Sequence, residues 1–284
     1  MRLTFCGVRG STPAVGAEFL RYGGHTSCLA ISSGDTPPTL LIDGGTGIRE
    51  VTDLLKGAAY DGSVLLGHLH WDHTQGLPFF AGGTAPGARL DLYLPAQGVP
   101  ALELLARAVG PPHFPVTPDI LGAGWTFNNL IEGHHLIEGL DVLAREIPHK
   151  GGRAFGYRVT DGYASIAYLS DHSPTSLGPG PDLLGELHEA ALELADGVEL
   201  LIHDAQHRAD EFPAVGYLGH SSPDYGVALA AAAGAKTLVL FHHSPTRTDA
   251  ELDQILVQTQ LLAQREAPGL TVIAAAQGLV IDTP

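Results

Sequence analysis

Short apolar runs punctuated by Gly, Pro and Asp recur along the chain, a pattern of buried strands rather than of long amphipathic helices. The pattern predicts strands at 2–8, 27–33, 39–43, 63–68, 89–94, 125–131, 140–147, 155–160, 164–169, 198–203, 237–242, 270–276 and 278–282. It predicts helices at 46–57, 98–109, 183–195, 223–234 and 249–265. The helix at 223–234 has the clearest ends: Ser221 or Ser222 as N-cap, Pro223 in the first turn, and Gly234 closing an Ala-rich body. The first half is mostly strands joined by tight turns, whereas the second alternates strand and helix. Two sheets packed face to face with helices outside accommodate both halves in one α/β domain spanning 1–284. The Pro- and Gly-rich stretch 110–124 reads as a long loop placed over a site.

Composition narrows the class. With 44% hydrophobic and 16% charged residues, the chain is globular rather than disordered. Runs such as 63–67 and 237–241 are too short to span a bilayer, and no signal-peptide pattern opens the chain. A cytoplasmic protein with no membrane partner is therefore expected. The formal charge of −16 argues against a broad phosphate-tracking surface, so extended nucleic acid is not an expected partner. Cys6 and Cys28 lie in strand-like stretches and read as buried free thiols, because two cysteines make no disulfide framework. Histidine is the anomaly: the chain has 15, as many as Lys and Arg together.

The chemistry concentrates in His68-Leu69-His70-Trp71-Asp72-His73, directly after the run Ser63–Gly67. On an extended backbone residues i and i+2 point the same way, so His68 and His70 stand side by side, and a turn then brings Asp72 and His73 round. Three imidazoles and a carboxylate so close together suit zinc, manganese or iron. His149, Asp171 and His242 each stand at the exit of an apolar run, where layered α/β proteins place site residues. His172 and His243 adjoin two of them and compete for the same roles. His113, His134, His135, His188 and His207 have no partner pattern and read as surface residues.

The H-x-H-x-D-H motif, with Asp43-Gly44-Gly45-Thr46-Gly47 before it, resembles the metallo-β-lactamase superfamily. Gly7–Pro13, Arg21–Cys28, Ile202-His203-Asp204-Ala205-Gln206, Gly219-His220-Ser221-Ser222 and Leu240–Ser244 are similar to motifs of its ribonuclease Z-like phosphodiesterase branch. The resemblance implies a four-layer αβ/βα sandwich of two mixed sheets with external helices. It implies two divalent ions, zinc foremost with manganese or iron as alternatives. His68, His70 and His149 would hold the first, Asp72, His73 and His242 the second, and Asp171 would bridge them. Asp43 would orient a ligand histidine through its other ring nitrogen. The choice of His242 over His243 rests on the family pattern.

The resemblance further implies that His220, paired with Asp204, protonates a leaving oxygen after attack by a hydroxide shared between the ions. Asp72, Asp204 and His220 are thus the catalytic candidates. Three positions depart from the branch: Asp204 stands where glutamate is more usual, Gln206 where threonine is common, and His25 where Asn is common. The expected activity is hydrolysis of a small nucleotide or cyclic phosphodiester, with homodimer formation compatible with the family. The competing readings are hydrolysis of a carboxylic derivative (lactone, thioester or β-lactam), tRNA 3′ processing, and a low-turnover metal-binding regulatory module. Arg9, Arg21, Lys150, Arg153 and Arg247 lie in or near the motif loops as candidates to meet phosphate.

Overall fold

The computed structural model describes residues 1–284. Two seven-stranded mixed sheets form the middle of the molecule. The first contains β1 (Arg2–Gly7), β2 (Cys28–Ser32), β3 (Leu40–Ile42), β4 (Asp61–Leu65), β5 (Arg89–Pro95), β6 (Trp125–Leu130) and β14 (Val280–Asp282), ordered β14-β1-β2-β3-β4-β5-β6. The second contains β7 (Gly133–Ile137), β8 (Leu140–Ile147), β9 (Ala154–Thr160), β10 (Ser165–Leu169), β11 (Leu200–Asp204), β12 (Thr237–Phe241) and β13 (Thr271–Ala274), ordered β13-β12-β11-β10-β9-β8-β7. In each sheet one run is parallel: β3 through β6 in the first, β10 through β13 in the second. The remaining pairs are antiparallel.

Alternation along each strand creates the layers. Leu29 and Ile31 of β2 join Tyr168 of β10, Ile202 of β11 and Phe241 of β12 in the core between the sheets. Cys28 and Ala30 face the opposite way, into a core shared with helices α1 (Ile48–Leu54) and α4 (Ala101–Ala106). Leu169, Leu201 and Leu240 face a third core under α5 (Glu189–Ala195), α7 (Pro223–Ala233) and α8 (Asp249–Glu266). Three apolar seams between four layers are what an αβ/βα sandwich requires. Short helices α2 (Trp71–Thr74), α3 (Ala81–Thr84) and α6 (Phe212–Val215) lie in the connections. No helix is long and apolar enough to cross a membrane.

All predicted strands are present, with ends shifted by a few residues, and β7 is an addition. Its sequence, Gly-His-His-Leu-Ile, lacks an apolar run because the strand lies at a sheet edge where only Ile137 is buried. The predicted helix at 183–195 begins only at Glu189, since Leu183 and Gly185 have φ of 62° and 116° and cannot continue a right-handed helix. At α7 the boundaries agree: Ser222 Oγ accepts from the Tyr225 amide at 3.2 Å, and Gly234 closes the helix with φ 67°. Cys6 and Cys28 are buried and free.

Candidate metal centre

The site residues leave the sheets where the parallel strands end. Asp43 follows β3, His68 follows β4, Asp171 follows β10, Asp204 closes β11, and His242 follows β12. His149 follows antiparallel β8, and α2 turns Asp72 and His73 back over His68. Only seven non-glycine residues have positive φ, and four of them stand here: Ser11, Asp43, Asp171 and His242. Such backbone costs roughly 1–3 kcal/mol per residue, a local expense found where a fold aims a functional side chain.

The seven predicted ligand residues meet in two groups, His68, His70, His149 and Asp171, and Asp72, His73, Asp171 and His242, with ligand atoms in each within 4.8 Å of one another. Asp171 belongs to both and divides its oxygens between them. Its Oδ1 faces His149 Nε2 at 3.6 Å and His68 Nε2 at 3.7 Å. Its Oδ2 faces His73 Nε2 at 2.9 Å and His242 Nε2 at 3.1 Å. Asp72 Oδ2 adds a second carboxylate beside His242 Nε2, at 3.1 Å, and beside His73 Nε2, at 3.3 Å.

Neighbouring groups fix the rings. His73 Nδ1–H donates to Asp43 Oδ2 at 2.6 Å, which leaves the Nε2 lone pair facing Asp171. His149 Nδ1–H donates to the Gly219 carbonyl at 2.7 Å, freeing its Nε2 likewise. Asp43 is itself held by the Tyr168 hydroxyl at 2.6 Å and the Gly67 amide at 2.8 Å. His68 Nε2 and His73 Nε2 are buried without a hydrogen-bond partner. Orphaned imidazole nitrogens are costly unless something coordinates them, and both point at the same carboxylate. The donor set therefore fits two divalent cations.

Electrostatics agree. Burial pushes the His68 and His149 imidazoles down, keeping them neutral as ligands must be. Burial opposes charge on Asp171 too, but His242 and His73 outweigh it and hold the carboxyl well below its usual range. Burial also opposes a charged His73, yet Asp43, Asp171 and Asp72 raise it well above normal. That field favours positive charge at this spot, whether a proton or a metal ion.

Beside the two groups, His220 Nδ1–H donates to Asp204 Oδ2 at 2.9 Å and lies 3.6 Å from Asp171 Oδ1. Burial lowers the His220 pKa, but Asp204, with help from Asp171 and Asp72, raises it to about 9. Asp204 also accepts from the Gln206 amide at 2.9 Å, so it closes the turn after β11 as well as holding the imidazole. Asp171, Asp204, His220 and His242 also lie within mutual metal-binding reach, but Asp204 already engages His220 Nδ1. A cavity of about 370 Å³ opens over Ser11, His70, Asp72, Asp171 and His220.

The competing histidines turn elsewhere. His243 Nε2–H donates to the Ala275 carbonyl at 2.9 Å, and His172 Nδ1 pairs with His203 Nε2 at 3.1 Å. His207 is buried rather than on the surface, packed edge-on to His220 with ring centroids 5.6 Å apart. His25 serves the turn, hydrogen-bonded to Thr46 Oγ1 at 3.0 Å. Of the basic candidates, Arg9 is wholly buried and donates to the Gly23, Ser244 and Arg247 carbonyls, so it braces the loops. Arg21 pairs with Asp253 and Arg247 with Glu211.

Sequence reasoning assigned no role to Ser11 or Tyr168. The Ser11 amide donates to Asp72 Oδ2 at 2.6 Å, its loop passing so close that a Cβ on Gly10 would lie 2.5 Å from the His242 ring. The glycine in Gly10-Ser11 was the available signal, since close backbone approach to a side chain requires one.

The model of the β-lactamase superfamily domain matches residues 39–243, and the chain belongs to that superfamily. It is a hydrolase of metallo-β-lactamase fold. Among curated proteins it is similar to ribonuclease Z of Haloarcula marismortui, 26% identical over 291 residues and 90% of each chain. Ribonuclease Z of Exiguobacterium sibiricum is 26% identical over 250 residues, covering 72% of this chain and 80% of the relative. Among solved structures, the metallo-β-lactamase fold protein YhfI from Bacillus subtilis superposes with TM-score 0.72 at 19% identity, over 99% of both chains. A diphosphatase of the PhnP family gives 0.70 at 20% identity, over 100% of this chain and 98% of that one. At such identities these structures support the fold alone.

Proposed function

We propose that the protein is a dinuclear metal-dependent phosphodiesterase acting on a small nucleotide or cyclic phosphodiester. The observation that carries the reading is the Asp204–His220 pair, whose His220 Nδ1 lies 3.6 Å from Asp171 Oδ1, beside the two ligand groups. His68, His70 and His149 with Asp171 Oδ1 would hold one ion, and Asp72, His73 and His242 with Asp171 Oδ2 the other. Two divalent ions, zinc foremost, supply Lewis acidity and activate a water when bound there. Asp43 keeps His73 in the tautomer that presents Nε2 to the site. Asp204 fixes the His220 ring, leaving its Nε2 to deliver a proton to the departing oxygen. An alkyl alkoxide leaving phosphorus needs that proton, and the ribonuclease Z relatives favour phosphorus over a carbonyl centre.

The test is a metal-loaded screen of bis(p-nitrophenyl) phosphate, cyclic nucleotides, precursor tRNA, a lactone and a β-lactam. Turnover of small diesters well above the carbonyl substrates is expected; the reverse order overturns the reading. A second reading, tRNA 3′ processing, is favoured by the ribonuclease Z relatives, one of which matches over 90% of its length. Against it stands the charge of −16, which repels a polyanion and slows its approach. Efficient cleavage of precursor tRNA with slow turnover of every small diester would establish that second reading.

A further inference from the structure

A separate cavity of about 700 Å³ adjoins the metal pocket, sharing its Leu69 and Trp71 wall. His68 and Gly151 stand at its inner end, whereas Ser11 and His220 line only the smaller cavity. Its outer wall is aromatic: Phe79 and Phe114 meet edge to face with ring centroids 5.9 Å apart. Trp71 is 74% exposed and Phe79 61%, a heavy exposure of aromatic surface for side chains flanking a catalytic pocket. Arg107, Arg153 and His113 also line the space, and no carboxylate does, although acidic residues outnumber basic ones 31 to 15 in the chain. The Arg107 side chain is 60% exposed and pairs at 3.3 Å with exposed Glu103 four residues earlier, a weak surface pair that a ligand can displace. The volume falls within the range of roughly 300–1,000 Å³ typical of small-ligand sites.

We propose that this cavity is the subsite for an aromatic ring, a nucleobase in size, carried by the substituent that stays on the phosphoryl group. The inference rests on the phosphodiester reading and adds to it a substrate class and an orientation. The leaving oxygen must lie toward His220 to receive its proton, and His220 borders only the smaller cavity. The retained substituent then extends the other way, past His68 and Trp71. Phe79, Phe114 and Trp71 offer ring faces and edges for stacking, Gln75 and Gln97 offer amides to base edges, and Arg107 can donate to base carbonyl oxygens.

The experiment compares three p-nitrophenyl diesters that share a leaving group and differ only in the retained substituent: methyl, phenyl and thymidine-5′. The wild-type kcat/KM should rise by about 10-fold or more from methyl to thymidine, the scale of one stacked base. Phe79→Ala should bring that ratio toward one; Phe79 is largely exposed, so the variant should fold. Arg107→Ala should lower the thymidine value further than the methyl value. Leu136→Ser, at an 81% exposed position of β7, should keep the wild-type ratio. Quenching of Trp71 fluorescence by thymidine 5′-monophosphate gives a second readout independent of turnover, and Phe79→Ala should weaken it. If no diester is hydrolysed but the Phe79-dependent quench persists, the phosphodiester reading fails and the aromatic subsite stands. Turnover of all three diesters at equal kcat/KM, with no quench, refutes the subsite alone and assigns the aromatic patch to contact with another protein surface.

Discussion

His73 Nδ1 lies 2.6 Å from Asp43 Oδ2, and both residues are wholly buried. The contact orients an imidazole whose other nitrogen is 2.9 Å from Asp171. Asp43→Ala should therefore lower affinity for the ion of the Asp72, His73 and His242 group by about 10–100-fold, the usual effect of removing such a support. It should also cost stability, about 1–3 kcal/mol for each group left unpaired, because Tyr168 and the Gly67 amide lose their acceptor. Competition titration with a chromophoric chelator reads the affinity; two unchanged dissociation constants would contradict the assignment.

The second prediction concerns the proton donor. His220→Ala should slow hydrolysis of an alkyl phosphodiester by roughly 10²–10⁴-fold, and a nitrophenyl diester far less, because nitrophenolate leaves without protonation. Asp204→Asn should follow the same trend more weakly, since the ring loses its charged anchor at 2.9 Å but not its place. Equal losses on both substrates with metal content intact would move His220 from proton transfer to binding or folding.

How much of this site was legible in the sequence depends on what each residue had to do. The His68–His73 cluster announces itself because four ligand-type residues fall within one strand end and one turn. Single residues such as His149, Asp171 and His242 carry no such signal; the family resemblance selected them, and the geometry brings them together. Their aim depends on left-handed backbone at Asp171 and His242, with φ of 55° and 56°, which no propensity foresees. Tyr168 was unreadable for another reason. Its ring belongs to the core between the sheets, so alternation correctly marks it as core and hides the hydroxyl on Asp43. Central strands such as β2, β3, β10 and β11 were legible because burial on both faces makes their runs apolar. Edge strand β7 was not, for want of that burial.

A third prediction follows from two buried histidines that take no part in the metal groups. Burial depresses His243 to about 3 and His203 to about 4, so both stay neutral in the folded protein. Unfolded, they titrate near 6.5. The unfolded state thus binds more protons below that pH, and stability is lost as pH falls from about 6.5 toward 4 and 3. Denaturant midpoints measured from pH 8 to 4 should fall on the acid side. His243→Gln, which can still donate to the Ala275 carbonyl, should show a shallower fall. Comparison at each pH cancels metal loss common to both proteins; identical slopes would show that His243 is not held neutral.

Metal removal supplies the fourth. Without cations, the buried nitrogens of His68 and His73 lack partners and Asp72 and Asp171 crowd together. Exhaustive chelation should lower the Tm, and restoring ions at about 100 times their Kd should return about 2.7 kcal/mol for each ion bound. An unchanged Tm would mean that the cluster does not bind metal in the folded protein.

The central claim is that Asp171 bridges two ions, one on each carboxylate oxygen, and elemental analysis of the wild type beside Asp171→Ala tests it most directly. The two ligand groups predict about two divalent ions per chain in the wild type, with a loss from both positions in the variant. One ion per chain, unchanged by Asp171→Ala, would contradict the bridged site and the mechanism built on it.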